Sequence, residues 1–355
     1  MIRHWAQICL RGAIFPLIWM AMGSRASEAP VHGVGATFPA LVYSAWAAEY
    51  RRASGNEVRY EAVGSGVGIE RVRNGGVDFG ATDYPLSADD LQSADLLQFP
   101  AIIGGVVPVV NVNGIESGSL RLSGLILANI YLGRITRWDD PAIVKLNPAL
   151  KLPRQNITVV HRSDASGTTY LWSGYLSGAH SEWRGRFGTH PELNWPVGVG
   201  GVGNEGVASY VQRTRASLGY VEYAYARQHH LSYVSVDNSQ GTFLLPSRRS
   251  FELAVRSAHW NKIQSRYEMS SAAQDGQWPI TGASYILLSA QPSSSTRTHA
   301  VLEFFSWAFS HGAPIAESMD YVCLPSDVTA DTEDAWAEGF RDSSGEPVWA
   351  RRRTP

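Results

Sequence analysis

The chain has 355 residues, 44% of them hydrophobic and 17% charged, enough for two cores, which excludes a disordered, collagen-like or single small domain. Lys plus Arg number 30 against 32 Asp plus Glu, a net charge of −2. A broad basic nucleic-acid surface is thereby excluded, and any bound anion must be held by local geometry. Lysine stands only at Lys145, Lys151 and Lys262, none of them in the glycine-rich context that Walker-type nucleotide binding requires.

The first 26 residues read as a secretory signal. Arg3, His4 and Arg11 form a positive start, and Ala13 to Met22 (AIFPLIWMAM) is an apolar run too short to span a membrane. Ser24-Arg25-Ala26 or Ser27-Glu28-Ala29 offers a small-x-small cleavage site. A cut after Ala26 removes Arg3, Arg11 and Arg25 and no acid, so the mature chain is more acidic than the precursor. Cys9 lies inside the signal without the context of a lipid-modified cysteine. That leaves Cys323 alone, with no internal disulfide or cysteine metal site and a buried structural role expected. No later apolar run reaches spanning length, so a soluble protein of an extracytoplasmic compartment, the periplasm, is expected.

Beyond the signal, short β-rich runs alternate with helical patterns, the signature of an α/β fold. Strands are expected at 57–62, 79–82, 106–112, 157–161 and 285–288, and helices at 39–53, 69–73, 168–176, 206–213 and 299–309. In the first helix, Leu41, Val42, Ala45, Trp46 and Ala48 make an apolar stripe that belongs to a core rather than to a cofactor. Gly and Pro punctuate residues 104–114 and 276–283. That pattern suggests a discontinuous layout, with lobe 1 from residues 27–110 and 280–355, lobe 2 from 111–279, and two crossings between them.

Three stretches place small polar residues ahead of a helix: Gly35–Pro39 (GATFP), Gly64–Gly68 (GSGVG) and Ser163–Thr169 (SDASGTT). Each is either an ordinary cap or turn, or a seat for an oxyanion built from helix N–H groups and hydroxyls. Arg162 closes a β run just before the third, where its guanidinium would fork onto the same anion or pair with Asp164. Asp83 follows a short apolar strand and stands either in an Asx turn before Pro85 or in the site itself. A carboxylate facing an oxyanion makes sense when the ligand carries a proton to share, which favours hydrogen phosphate over sulfate.

Other motifs are weaker. Gly201 to Gly206 (GVGNEG) matches GxGxxG, as does the overlapping frame from Gly198, but no convincing hydrophobic strand precedes either. His229-His230 lacks the spacing and companions of a zinc set and reads as a solvated helix end. A hydrolase would use Ser65 or Ser166 as nucleophile, yet neither sits in a GxSxG elbow, and His161 is the nearest candidate base.

From Gly33 to Trp349 the sequence resembles the substrate-binding proteins of bacterial ABC phosphate importers, the Pst system. The resemblance rests on Gly35–Pro39, Val77–Asp83 (VDFGATD), Phe99–Val106 (FPAIIGGV), Tyr131–Pro141 (YLGRITRWDDP), Leu152–Ile157 (LPRQNI), Arg162–Thr168 (RSDASGT), Leu218–Ala226 (LGYVEYAYA) and Asp342–Gly345 (DSSG). It implies a two-lobed periplasmic-binding-protein fold with a hinge, holding phosphate in the interlobe cleft for a permease pair and its ATPase. It also implies a non-catalytic, monomeric receptor without metal or cofactor and with no nucleic-acid partner. The implied phosphate-binding residues are Thr37, Phe38, Ser65, Asp83, Arg162, Ser166, Gly167 and Thr168, with Asp164 orienting Arg162. A secreted phosphomonoesterase, or a receptor for another tetrahedral oxyanion, is the alternative. Two departures stand out: Gly66-Val67-Gly68 after Ser65, where a second Ser and a Gly pair are common, and Ala165 where Gly is common. If position 165 needs positive φ, Ala there costs about 1 kcal/mol.

Overall fold

The computed structural model describes residues 29–262, 264–268, 276–342 and 344–350; the expected signal segment, Cys9 and both cleavage sites lie outside them. Among the described residues thirteen strands are formed: β1 (Val31–Gly35), β2 (Val58–Ala62), β3 (Phe79–Thr82), β4 (Leu96–Asn111), β5 (Thr158–Arg162), β6 (Val199–Gly201), β7 (Ser217–Glu222), β8 (Ser232–Tyr233), β9 (Val236–Asp237), β10 (Phe243–Leu244), β11 (His259–Asn261), β12 (Arg266–Glu268) and β13 (Thr281–Ser289). Nine make one sheet in the order β2-β1-β3-β13-β4-β7-β5-β6, with β8 against β4. β9 pairs with β10 and β11 with β12 as separate ribbons.

The long strand β4 joins the two ends of this sheet. Its 16 residues extend ~50 Å at strand rise. From Leu96 to Gly105 it pairs antiparallel with β13, and from Val106 to Asn111 with β7. Nearly every residue of it is buried, including Phe99, Ile102, Ile103, Val106, Val107 and Val109, because helices cover both faces. The expected strand at 106–112 is thus only the second half of β4. Gly104 and Gly105 do not interrupt it: a Cβ there would meet the rings of Phe38 at 2.9 Å and Phe251 at 2.2 Å. These glycines make room for aromatic packing rather than for a turn. Between Ser284 and Tyr285 the β13–β4 register slips past Ala101, a bulge.

The expected helices are present with shifted ends. They run Ala40–Ser54, Ser65–Arg73, Gly167–Ala179, Gly203–Arg213 and Ser295–His311. Of the apolar stripe of the first, Val42 and Trp46 are core, at most 1% exposed, with the Trp46 indole donating to the Gly312 carbonyl at 2.9 Å, while Leu41 and Ala45 are half-buried and Ala48, contrary to expectation, is exposed. His229 terminates a short helix and pairs with Glu205. Cys323 is half-buried, with its thiol pushed up to about 11 by burial, which leaves it unreactive.

Candidate functional site

Parallel strands bring the sequence-predicted residues to one place. β1, β2 and β3 run parallel, so the segments after their carboxyl ends, which carry Thr37 and Phe38, Ser65, and Asp83, emerge on the same side. β5 and β6 are likewise parallel and release Arg162 to Thr168 and Gly203-Asn204. Ligands of open α/β sheets sit at such carboxyl ends. All eight residues converge there, and Thr37, Phe38, Ser65, Asp83, Arg162, Ser166 and Thr168 are each at most 5% exposed.

The loop after β1 is held by three phenols. Tyr60 donates to the Ala36 carbonyl at 2.6 Å, Tyr225 to that of Thr37 at 2.9 Å, and Tyr321 to that of Phe38 at 2.6 Å. A trans peptide sets each N–H opposite the preceding carbonyl, so the amides of Thr37 and Phe38 point away from the phenols. The Tyr321 hydroxyl also lies 3.0 Å from Glu222 Oε2, so its one hydrogen is shared between that oxygen and the Phe38 carbonyl. Burial pushes the Glu222 carboxyl well up, against its hydrogen bonds with Tyr321 and backbone amides.

Ser65 opens its helix, and its Oγ accepts from the amides of Asp83 at 3.4 Å and Gly167 at 3.3 Å. Gly167 has no room for a side chain, since a Cβ would lie 2.3 Å from that of Asp83. The two departures from the family pattern meet in a single contact. The Gly66 amide donates to the Ala165 carbonyl at 3.1 Å, and a Cβ on Gly66 would lie 2.6 Å from the Ala165 methyl. Ala165 is not among the residues of positive φ, so the expected cost there is not incurred.

Arg162 is buried and forks onto Asp164, donating through Nε at 2.8 Å and through Nη2, while its Nη1 donates to Thr168 Oγ1 at 3.2 Å. Burial would raise the Asp164 carboxyl, but the Arg162 hydrogen bonds and charge and the Gly203 amide hold it below its usual value. Ser166 is the helix cap, accepting from the Thr169 amide at 3.2 Å, so its hydroxyl proton remains to be donated.

Asp83 stands apart. Its Oδ1 and the hydroxyl of nearby Ser284 are both buried, and neither meets a partner with full hydrogen-bond geometry. Burial pushes the carboxyl up to about 7, against the Ser284 hydroxyl and the Arg162 charge, which hold it lower. The turn before Pro85 is closed by Thr82, whose hydroxyl accepts from the Tyr84 amide, so the Asx-turn alternative for Asp83 does not hold. The arrangement is chemically lopsided: one guanidinium, hydroxyls and helix amides, all donors, face one carboxylate oxygen. His161 turns its Nδ1 to the Arg162 carbonyl at 3.0 Å and stacks on Trp195.

Comparison with known proteins places this site in a family. Residues 21–311 match the family model of the PBP superfamily domain. The phosphate-binding protein PstS of Pasteurella multocida is 43% identical over 340 residues, covering 96% of this chain and 99% of that protein. PstS of Haemophilus influenzae is 46% identical over 307 residues, 86% and 92% respectively. The chain belongs to the PstS phosphate-binding protein family. Among solved structures, the high-affinity periplasmic phosphate-binding protein PfluDING, bound with phosphate, superposes with a TM-score of 0.72 at 19% identity. The match covers 91% of this chain and all of that one, and shows a shared fold. That fold is the two-lobed α/β architecture of periplasmic binding proteins.

Sequence reasoning assigns no role to several residues that border the candidate site. Tyr225 and Glu222 lie within the Leu218–Ala226 motif, which carried the resemblance without roles for its members. Asn204 sat in GVGNEG, weighed only as a nucleotide motif. The strand at that place, β6, is the tripeptide VGG and includes the first glycine of the motif, so no hydrophobic strand precedes it, as the sequence suggests. Among the described residues, no group of three or more His, Cys, Asp or Glu side chains is placed to hold a metal ion. None of the described helices is long and apolar enough to cross a membrane.

Proposed function

We propose that this protein is a non-catalytic periplasmic receptor that traps hydrogen phosphate between two lobes and passes it to the permease subunits of an ABC importer. The observation that carries the reading is the buried Oδ1 of Asp83, without a partner of full hydrogen-bond geometry, within an otherwise donor-lined site. An oxyanion offering only acceptors would face a carboxylate there, whereas hydrogen phosphate brings the proton that oxygen lacks. Thr37, Phe38, Ser65, Ser166, Gly167 and Thr168 supply hydroxyls and amides, and Arg162, oriented by Asp164, supplies the charge. The names of the PstS relatives support the same ligand.

The lobes in this reading are residues 27–110 with 280–355, and 111–279. Supporting it, site contacts cross between them: Ser65 with Gly167, Gly66 with Ala165, and Thr37 with Asn204. The 279/280 crossing lies beside the point where β4 changes partners, with the Val106 amide donating to the Ile280 carbonyl at 2.8 Å, and the 110/111 crossing lies at the end of the same strand, which makes β4 the element suited to hinge closure. The test is calorimetric titration of ligand-stripped, signal-free protein with phosphate, repeated in a large excess of sulfate. One-to-one binding undisturbed by sulfate is expected. Absent phosphate binding, or full displacement by sulfate, overturns the reading.

A further inference from the structure

Asn204, in the first turn of the helix Gly203–Arg213, is fully buried and touches hydroxyls from both lobes. Its Nδ2 donates to Thr37 Oγ1 at 2.9 Å and to Thr168 Oγ1 at 3.2 Å, and its backbone amide donates to Thr37 Oγ1 at 3.1 Å. Its Oδ1 accepts from the Glu222 amide at 2.9 Å. That amide can only donate, which fixes the side chain with Nδ2 toward the threonines.

A threonine oxygen has two lone pairs and one hydrogen. Thr37 Oγ1 receives two N–H groups, both from Asn204; Thr168 Oγ1 receives one from Asn204 and one from Arg162 Nη1 at 3.2 Å. Both oxygens are therefore filled as acceptors, and all that remains to either hydroxyl is to donate. Building on the phosphate-receptor reading, we propose that Asn204 is a specificity-determining positioning residue that locks Thr37 and Thr168 as donors. A ligand oxygen that itself carries a hydrogen is then refused at those two corners. Ser65 Oγ, which accepts the amides of Asp83 and Gly167, is filled in the same way, so the proton of hydrogen phosphate is directed away from these three hydroxyls and toward the Asp83 carboxylate, the strongest acceptor left. Because Thr37 comes from the other lobe, this lock is complete only when the cleft is closed.

The test is a double-mutant cycle on full-length mature protein, with phosphate affinity as readout. Asn204→Leu keeps approximate volume and removes the amide. It should weaken phosphate binding about tenfold or more in the wild-type background, as two hydroxyls lose their enforced direction. In a Thr37→Val/Thr168→Val background there is no hydroxyl to direct, and the same change should cost less than about threefold. Equal losses in both backgrounds, or no loss in the wild type, overturn the proposal. Folding is checked by circular dichroism, and Asn204→Ala is carried through the same cycle if the leucine variant does not fold. Failure of wild-type protein to bind phosphate refutes the receptor reading itself, and with it this one. Wild-type binding with a flat cycle refutes only the role of Asn204.

Discussion

At the scale of single residues, Arg162 and Asp83 carry opposite duties. Arg162→Ala removes the guanidinium from the site and leaves the half-buried Asp164 carboxylate held by the Gly203 amide, and losing charge-assisted hydrogen bonds to a bound anion costs about 3 kcal/mol. Phosphate affinity should fall roughly 100-fold or more, and titration calorimetry reads it. Asp83, with its carboxyl near 7, becomes a donor once it takes up its own proton. Sulfate exclusion should therefore be strong above pH 7 and relax toward pH 5. Asp83→Asn should bind sulfate comparably at both pH values, and competition titrations at the two compare directly. The same shift has a stability sign. A carboxyl raised on folding contributes stability in full below its unfolded value near 3.8 and loses it as pH rises through about 7. Melting of ligand-free protein should accordingly show Asp83→Asn gaining on the wild type between pH 5 and pH 8. Asp83, Arg162 and the three hydroxyl-bearing turns were legible because each is a local pattern of donors or charge ahead of a turn. The phenols of Tyr225 and Tyr321 were not, since they reach the loop from 188 and 283 residues away and leave no local trace.

At the scale of elements, two helix starts lock against each other through Gly66 and Ala165. Gly66 is without a side chain where it faces the Ala165 methyl. Gly66→Ala should cost about 1–3 kcal/mol through overpacking, and Ala165→Gly in the same chain should recover most of it. Denaturant unfolding of the two singles and the double measures the coupling. Glycine also explains what the sequence hid. β1 (VHGVG) was not expected as a strand, yet a Cβ on Gly33 would lie 1.9 Å from the Phe79 ring. The residue is small to admit an aromatic face, a reason that local propensity reads as a turn. Periodic helices such as Ala40–Ser54 were legible for the opposite reason, because their burial pattern repeats within the segment itself.

At the scale of the whole molecule, a ligand gripped by both lobes should stabilise the folded chain by mass action. Phosphate at 1,000 times its dissociation constant should add about 4 kcal/mol. Scanning calorimetry should show that rise in the wild type and its reduction to about 1.4 kcal/mol or less in Arg162→Ala at the same phosphate concentration. The three phenols carry a further consequence, one for the order of folding. Ala36, Thr37 and Phe38 are each steadied by a side chain from a different stretch, at positions 60, 225 and 321. No fragment of the chain contains the finished anion seat, and loop closures of that length come late. In a refolding experiment, recovery of phosphate binding should track the slowest phase, so the ligand reports completion of the entire chain rather than of the lobe it first touches.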